Sequence, residues 1–534
     1  GRNRRMTETE FKKLLWDSAN KLRGAMSAAE YKFPVLGLVF LKYVSDIFEA
    51  QREVIRARLA DPDSDLFMPE DMRADAFAAL SEDRDAYKQD NVFWIPEEAR
   101  FGDLLKQAAN PKLGKLLDDG MAAIERENEK LRGVLYRDFA RLPLEDGVLG
   151  DLMGIVAKMK FDPKQDTSRD VFGEVYEYFL GNFALSEGQR AGQFYTPRSV
   201  VSVLVEILAP FAGRIYDPAC GSGGMFVYSE RFIEAHGGRK GQAAIYGQEL
   251  SATTRKLACM NLAIRGIDYD MGQSHGDTFH NDQHPDLRAD YVLANPPFNI
   301  RGWGADRLPK DLRWKYGVPP DGNANYAWLQ HMLARLSAEG RAGIVLANGS
   351  MTTNTGGEGD IRSAMVKGDV VECMVALPGQ LFANTPIPAC LWFLSHNKGA
   401  GKNGKQDRRK QVLFIDARKF ASLVPGSRKQ KEFSEDEIRQ IAQTYHNWRG
   451  TQWAEGIYED TLGFCKSATL AEIEQHSYAL TPGRYVGATD VEDDDEAFEE
   501  QMARLTSELS ASFVRGAKLE AEVREQLERV GYGV

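Results

Sequence analysis

Gly213-Arg214-Ile215-Tyr216-Asp217-Pro218-Ala219-Cys220-Gly221-Ser222-Gly223-Gly224 reads as a short apolar strand, a glycine-rich turn and the first residues of a helix. Glycine permits so tight a turn and lets backbone approach a ligand with no Cβ in the way. Phe226 stands where the dinucleotide fingerprint carries its third glycine, which disfavours a dehydrogenase.

Outward from this unit the pattern alternates. Strands are expected at 213–217, 243–248, 290–294, 341–347, 370–377, 389–395 and 412–415, with helices near 198–209, 223–236, 251–265 and 325–338. Such alternation implies a largely parallel sheet covered on both faces, with ligands at the carboxyl ends of its strands. Asp217 ends the first strand and would face the charged methionyl part of a nucleotide-like cofactor, or a water beside its amino group; a helix-capping aspartate explains it equally simply. Glu249 ends the second strand, where a carboxylate accepts both hydroxyls of a ribose. Asp277, in Gly276-Asp277-Thr278, would end a third strand and accept from the cofactor's adenine amino group, unless it is a plain Gly-Asp turn.

The apolar run Tyr291-Val292-Leu293-Ala294 leads into Asn295-Pro296-Pro297-Phe298. The side-chain oxygen of Asn295 and the carbonyl of Pro296 can accept the two N–H groups of an exocyclic amine, drawing its lone pair out of conjugation. Pro296 and Pro297 hold these acceptors in place, and Phe298 offers a flat face to a base. With the glycine-rich turn upstream, this order of motifs implies methyl transfer from S-adenosylmethionine to an amino group, by in-line displacement and without a covalent nucleophile. None of the five cysteines follows a proline, so the Pro-Cys form of a cytosine-C5 site is missing. Their spacing suggests neither a zinc site nor a disulfide framework, and no metal is expected.

Just before the sheet, Gln193-Phe194-Tyr195-Thr196-Pro197-Arg198 is non-periodic. It reads either as a rigid loop folded over the methionine moiety, with Pro197 suited to the first turn of a helix, or as a domain linker.

From 8 to about 185 the spacing is helical, with Phe11, Leu14, Leu15, Ser18 and Leu22 on one face and Val171, Val175, Tyr178 and Phe179 on another. The stretch 60–100, broken by Pro62, Pro69 and Pro96, reads as surface loops between helices. Lys398–Lys410 reads as a solvated loop between two late strands, with a DNA or partner contact as the alternative. After the acidic run Glu492–Glu496, a long helix carries Phe498, Met502, Leu505, Leu509 and Phe513, then Leu519, Val523, Leu527 and Val530, with a break near Gly516. Such a stripe is ordinarily core, although its place beyond an acidic linker suits packing on another subunit.

The 534-residue chain is long enough for several packed cores. No run of eighteen apolar residues occurs, and the basic start, Gly1 to Arg5, leads into a helix-opening Thr7-Glu8-Thr9-Glu10, so a cytoplasmic location is expected. A net charge of −11 argues against gripping a phosphate backbone over the whole surface, so any DNA contact is local or shared.

On Gly192–Arg198, Asp217–Gly224, Glu249, Asn295–Phe298 and the late Leu480-Thr-Pro-Gly-Arg-Tyr-Val-Gly487, the chain resembles the modification subunit of type I restriction-modification systems, an N6-adenine DNA methyltransferase. The resemblance covers almost the whole chain. It implies that Gln193–Arg198, Ser222–Gly224 and Glu249 bind S-adenosylmethionine and that Asn295–Phe298 hold an adenine flipped out of double-stranded DNA. It also implies a separate specificity subunit that chooses the target, two modification subunits per specificity subunit, and a restriction subunit. The fold class expected is multi-domain: an N-terminal all-α domain (1–185), an α/β Rossmann-like S-adenosylmethionine-dependent methyltransferase domain (186–485) and a C-terminal helical partner-binding tail (486–534). The alternatives are a self-sufficient DNA adenine methyltransferase and a protein-glutamine methyltransferase.

Overall fold

The computed structural model describes residues 8–90, 92–161, 196–382, 388–487 and 498–532. The expected strands form β1 (Gly213–Asp217), β2 (Ala243–Gly247), β3 (Ala289–Ala294), β4 (Leu336–Ala347), β5 (Val371–Ala376), β6 (Ala389–Ser395) and β7 (Gln411–Asp416), followed by a small ribbon of β8 (Ser422–Leu423) and β9 (Lys431–Glu432) and by β10 (Cys465–Thr469). One eight-stranded sheet runs β10-β7-β5-β6-β4-β3-β1-β2. The β1–β2, β1–β3, β3–β4 and β5–β7 pairs are parallel. β6 is inserted antiparallel between β4 and β5, and β10 closes the edge antiparallel to β7. β5 and β6 are buried along their whole length, as uninterrupted apolar runs require when both faces of a sheet are covered.

Helices Arg198–Leu208, Gly224–Ala235, Ala252–Ile264 and Asn325–Arg335 fall where the spacing placed them. β4 begins five residues earlier than its apolar run, at Leu336, and pairs with Ala289 there. β10, Cys-Lys-Ser-Ala-Thr, was not expected from the sequence: only Cys465 and Ala468 point inward, too few for a legible pattern.

The N-terminal part is helical. The Ala28–Ala60 helix carries Val35, Leu36, Phe40, Tyr43, Val44 and Phe48 into a core shared with Leu15, Ala19 and Leu22 of the Glu8–Leu22 helix. The stretch 60–100 departs from expectation. It holds helices Glu70–Leu80 and Arg84–Lys88, and while the first buries nothing, Tyr87 stacks on Phe48 at 4.7 Å and Trp94 meets the same ring edge-on at 5.4 Å. The prolines and aspartates mark its turns, but its aromatic residues belong to the core. Across to the sheet-bearing part, Tyr43 donates to the Ile264 carbonyl at 3.2 Å, Tyr269 donates to the Lys130 carbonyl at 2.9 Å, and Lys130 pairs with Asp268.

The Lys398–Lys410 loop is anchored rather than simply solvated. Lys398 is buried and paired with Asp369 at 2.6 Å, and the buried Arg449 guanidinium donates to the carbonyls of Gln406 and Gly399. Lys402, Lys405, Arg409 and Lys410 remain exposed. The last helix, Phe498–Arg529, runs through Gly516 without a break. Its stripe is not intramolecular core: Leu509 is 53% exposed, Phe513 69% and Leu519 64%. Among the described residues no helix is long and apolar enough to cross a membrane. Val171–Phe179, Glu492–Glu496 and Thr7 lie outside the described residues.

Candidate functional site

The carboxyl ends of β1, β2 and β3 lie side by side. At the end of β1, Asp217 is buried, and its carboxylate accepts the Ala219 N–H at 3.0 Å while its carbonyl accepts the Gln248 N–H. Burial, with Glu249 nearby, pushes the Asp217 carboxyl well above the usual range. The chain then turns through Gly221 at φ 53° and Gly223 at φ 85°, a left-handed backbone that explains glycine at both positions. A Cβ placed on Gly221 or Gly224 would meet no atom within 4 Å, so the space in front of the turn is open. Ala219 and Ser222 lie partly exposed along this opening.

Glu249 braces the turn from β2. One carboxylate oxygen accepts the Gly221 N–H and the other the Ser251 N–H, both at 3.0 Å. Burial raises its pKa, the two backbone donors opposing the shift. Asn261, one helix on, donates to the Ser222 carbonyl at 2.9 Å, and Thr278 donates to the Pro218 carbonyl at 2.6 Å. Neither was read from the sequence; an asparagine inside the otherwise apolar run Leu257–Ile264 was the available signal for the first.

Asp277 does not end a strand. The chain there makes only an isolated bridge, Tyr246 with Asp270, and Asp277 instead caps a turn by accepting the Phe279 N–H at 2.8 Å. The segment is nonetheless brought to the site, because Gly276 N–H donates to the Glu249 carbonyl and Gln248 donates to the Gly276 carbonyl, each at 3.0 Å.

At the end of β3, the Asn295 amide nitrogen donates to Thr196 Oγ1 at 2.7 Å. Its amide oxygen is buried and has no donor among the described residues. Pro296 is buried and Pro297 partly so, and the Phe298 ring meets Phe382 edge-on at 6.0 Å. Phe382, from the segment after β5, was not singled out in the sequence; its place is fixed by sheet order and not by any local motif. Asn299 adopts φ 54° and accepts from Asn323 and Asn325 at 3.0 and 2.9 Å, closing the loop that follows. Within that loop Arg313 donates to the Thr278 and Phe279 carbonyls and meets the His331 ring, whose other nitrogen bonds Tyr216 of β1 at 2.9 Å. The acceptor loop and the cofactor-side turn therefore share one buried polar network.

Thr196 is brought to Asn295, Pro197 sits at the N-cap of the Arg198–Leu208 helix rather than inside its first turn, and Arg198 is exposed. Gln193, Phe194 and Tyr195 lie outside the described residues. An open, glycine-lined turn flanked by a ribose-competent carboxylate, beside an amide oxygen lacking a donor, can hold a nucleoside-bearing cofactor against an amino group.

The N-6 DNA methylase family model matches residues 167–494, and the HsdM N-terminal domain model matches residues 11–156. The HindI methylase subunit of the type I restriction enzyme from Haemophilus influenzae is 49% identical over 427 residues, covering 79% of this chain and 93% of that protein. The MjaIX methylase subunit from Methanocaldococcus jannaschii is 36% identical over 530 residues, covering 98% and 92%. The solved type I restriction-modification methyltransferase subunit from Streptococcus thermophilus superposes with a TM-score of 0.72 at 25% identity, over 90% of this chain and 100% of that one. The chain thus belongs to the N-6 DNA methylase family, with the methylase subunits of type I restriction enzymes, and is an adenine-specific DNA methyltransferase.

Proposed function

We propose that this chain methylates the N6 amino group of an adenine flipped out of double-stranded DNA, at a target chosen by a separate specificity subunit. The observation that carries the reading is the buried Asn295 amide oxygen, which has no donor among the described residues. A buried unsatisfied acceptor costs roughly 1–3 kcal/mol, and a substrate N–H removes that cost.

Family membership implies use of S-adenosylmethionine, which supplies an electrophilic methyl group when bound. The residues present fit it. Gly221–Gly224 leave room for its body and Glu249 for its ribose hydroxyls, while Asp217 and Ala219 line the turn. In the same reading Asp277 accepts from its adenine, and Gln193–Arg198 bind its methionine side. On the acceptor side, Thr196 fixes the rotamer of Asn295, so its oxygen is aimed before the base arrives. Asn295 and the Pro296 carbonyl take the two amino protons as hydrogen bonds, the amine becomes pyramidal, and its lone pair turns toward the methyl donor. Phe298 and Phe382 form the apolar walls against which the base lies. In duplex DNA that amino group is inside the stack, hence the flip.

In this reading the chain divides into an N-terminal helical domain (1–185), the methyltransferase domain (186–485) and a docking tail (486–534). Two such chains join one specificity subunit, with a restriction subunit in the full cytoplasmic complex. The exposed apolar stripe of the last helix supports the docking role, since isolated surface helices rarely carry such a stripe without a partner. Incubation of the chain with labelled S-adenosylmethionine and DNA, with and without a specificity subunit, tests the scheme. Label in DNA adenine only when the subunit is present is expected; transfer by the chain alone contradicts the partner dependence, and label in protein contradicts the substrate.

A further inference from the structure

A groove of about 630 Å³ opens between the helices Arg198–Leu208, Gly224–Ala235 and Glu435–Arg449 and the loop 452–455. It contains no residue of the strand-end site. Glu206 lies in it, in the last turn of a helix that has no basic residue there. The helix carbonyls nearby are already taken: His446 Nε2 bonds the Glu206 carbonyl and Arg341 donates to the Leu208 carbonyl, both at 2.6 Å. The Glu206 carboxylate itself makes no hydrogen bond among the described residues, and burial raises its pKa. A carboxylate at a helix C-terminus opposes the macrodipole, so this one is disfavoured twice, with the neighbouring His236 imidazole of the same groove acting the other way.

The rest of the groove supplies what an organic cation requires. Phe232, His236 and Trp453 pack together, with Trp453 ring centroids 5.4 Å from Phe232 and 4.7 Å from His236, giving an aromatic wall. The groove's only arginine, Arg439, is already committed to Glu455 at 2.6 Å. Glu435, at the far end of the same helix face, has no ion pair among the described residues. Residues 435 and 446 stand eleven positions apart, which is about 16 Å along a helix rising 1.5 Å per residue.

We propose that this groove binds a linear polyamine, with one ammonium at Glu206, its methylene spacer along Trp453 and Ile438, and a second ammonium at Glu435. The acidic lining excludes a nucleic-acid backbone, and the separation of the two carboxylates selects length. This site is independent of the methyl-transfer reading.

Calorimetric titration of the full chain with spermine, 1,4-diaminobutane and hexaamminecobalt(III) tests it, with melting temperature as a second readout. Saturable one-to-one spermine binding is expected, weakened about tenfold in Glu206→Gln. Glu435→Gln should weaken spermine but leave diaminobutane, which is too short to reach it, unchanged. Without polyamine, Glu206→Gln should melt higher than the wild type, because an unneutralised carboxylate has been removed. Equal spermine binding by wild type and Glu206→Gln overturns the proposal, as does displacement of spermine by an equal concentration of the compact hexaammine ion, or a lower melting temperature for Glu206→Gln alone.

Discussion

The two halves of the strand-end site differ in how far their polar groups are satisfied. Around the glycine turn, Asp217, Glu249, Asn261 and Thr278 all hold backbone partners at 2.6–3.0 Å. At the end of β3, Asn295 has one bond, to Thr196, and an oxygen with none among the described residues. A satisfied network sets a shape, while an unsatisfied buried acceptor stores a cost that a correctly placed donor relieves. In the proposed reading the cofactor half is finished by the chain itself, and the acceptor half by its substrate.

Variants can break this contrast. Asn295→Ala should have the largest effect, lowering transfer by about a thousandfold, as loss of a preorganised acceptor does, with S-adenosylmethionine affinity within about threefold of wild type. Comparable loss of cofactor binding would erase the division. Glu249→Gln should do the reverse: cofactor affinity falls roughly ten- to a hundredfold, the worth of a charge-assisted hydrogen bond, and transfer at saturating cofactor changes little. A large fall in saturated rate would place Glu249 on the acceptor side. Thr196→Val, which leaves Asn295 in place but unheld, should lower kcat about tenfold even at saturating cofactor.

The smallest effect concerns stability away from the site. Burial lowers His446 from its ordinary value to about 4. The unfolded chain takes up this proton near pH 6.5 and the folded one near 4, so the neutral ring contributes stability above pH 6.5 that is lost as pH falls toward 4, by ~3 kcal/mol. His446→Gln should flatten the melting-temperature profile over that window. An unchanged profile would assign the acid sensitivity elsewhere.

What was legible in the sequence followed from locality. Strand, turn and helix around Asp217–Gly224 are contiguous, and β3 runs directly into Asn295, so seven strands and both motifs could be placed. Thr196, just before the Arg198–Leu208 helix, and Phe382, after β5, meet Asn295 and Phe298 only through the tertiary fold, which brings together residues far apart in the chain. For Asp277 the strand-end reading fails and its alternative, a plain Gly-Asp turn, holds: the chain there lacks the apolar run that would pair it with β2. The last helix left two readings open, core or a docking face. An apolar stripe reports that a face is to be covered but not by which molecule, and Leu509 and Phe513 remain exposed in the single chain.

The central claim is that the orphaned Asn295 oxygen receives the amino group of the target base. A cycle combining Asn295→Ala with DNA whose target adenine is replaced by purine, which lacks that amino group, tests it most directly. Binding to the assembled complex should show a coupling of roughly 1–3 kcal/mol between the amide oxygen and the amino group. Additive losses, with no coupling, would contradict it.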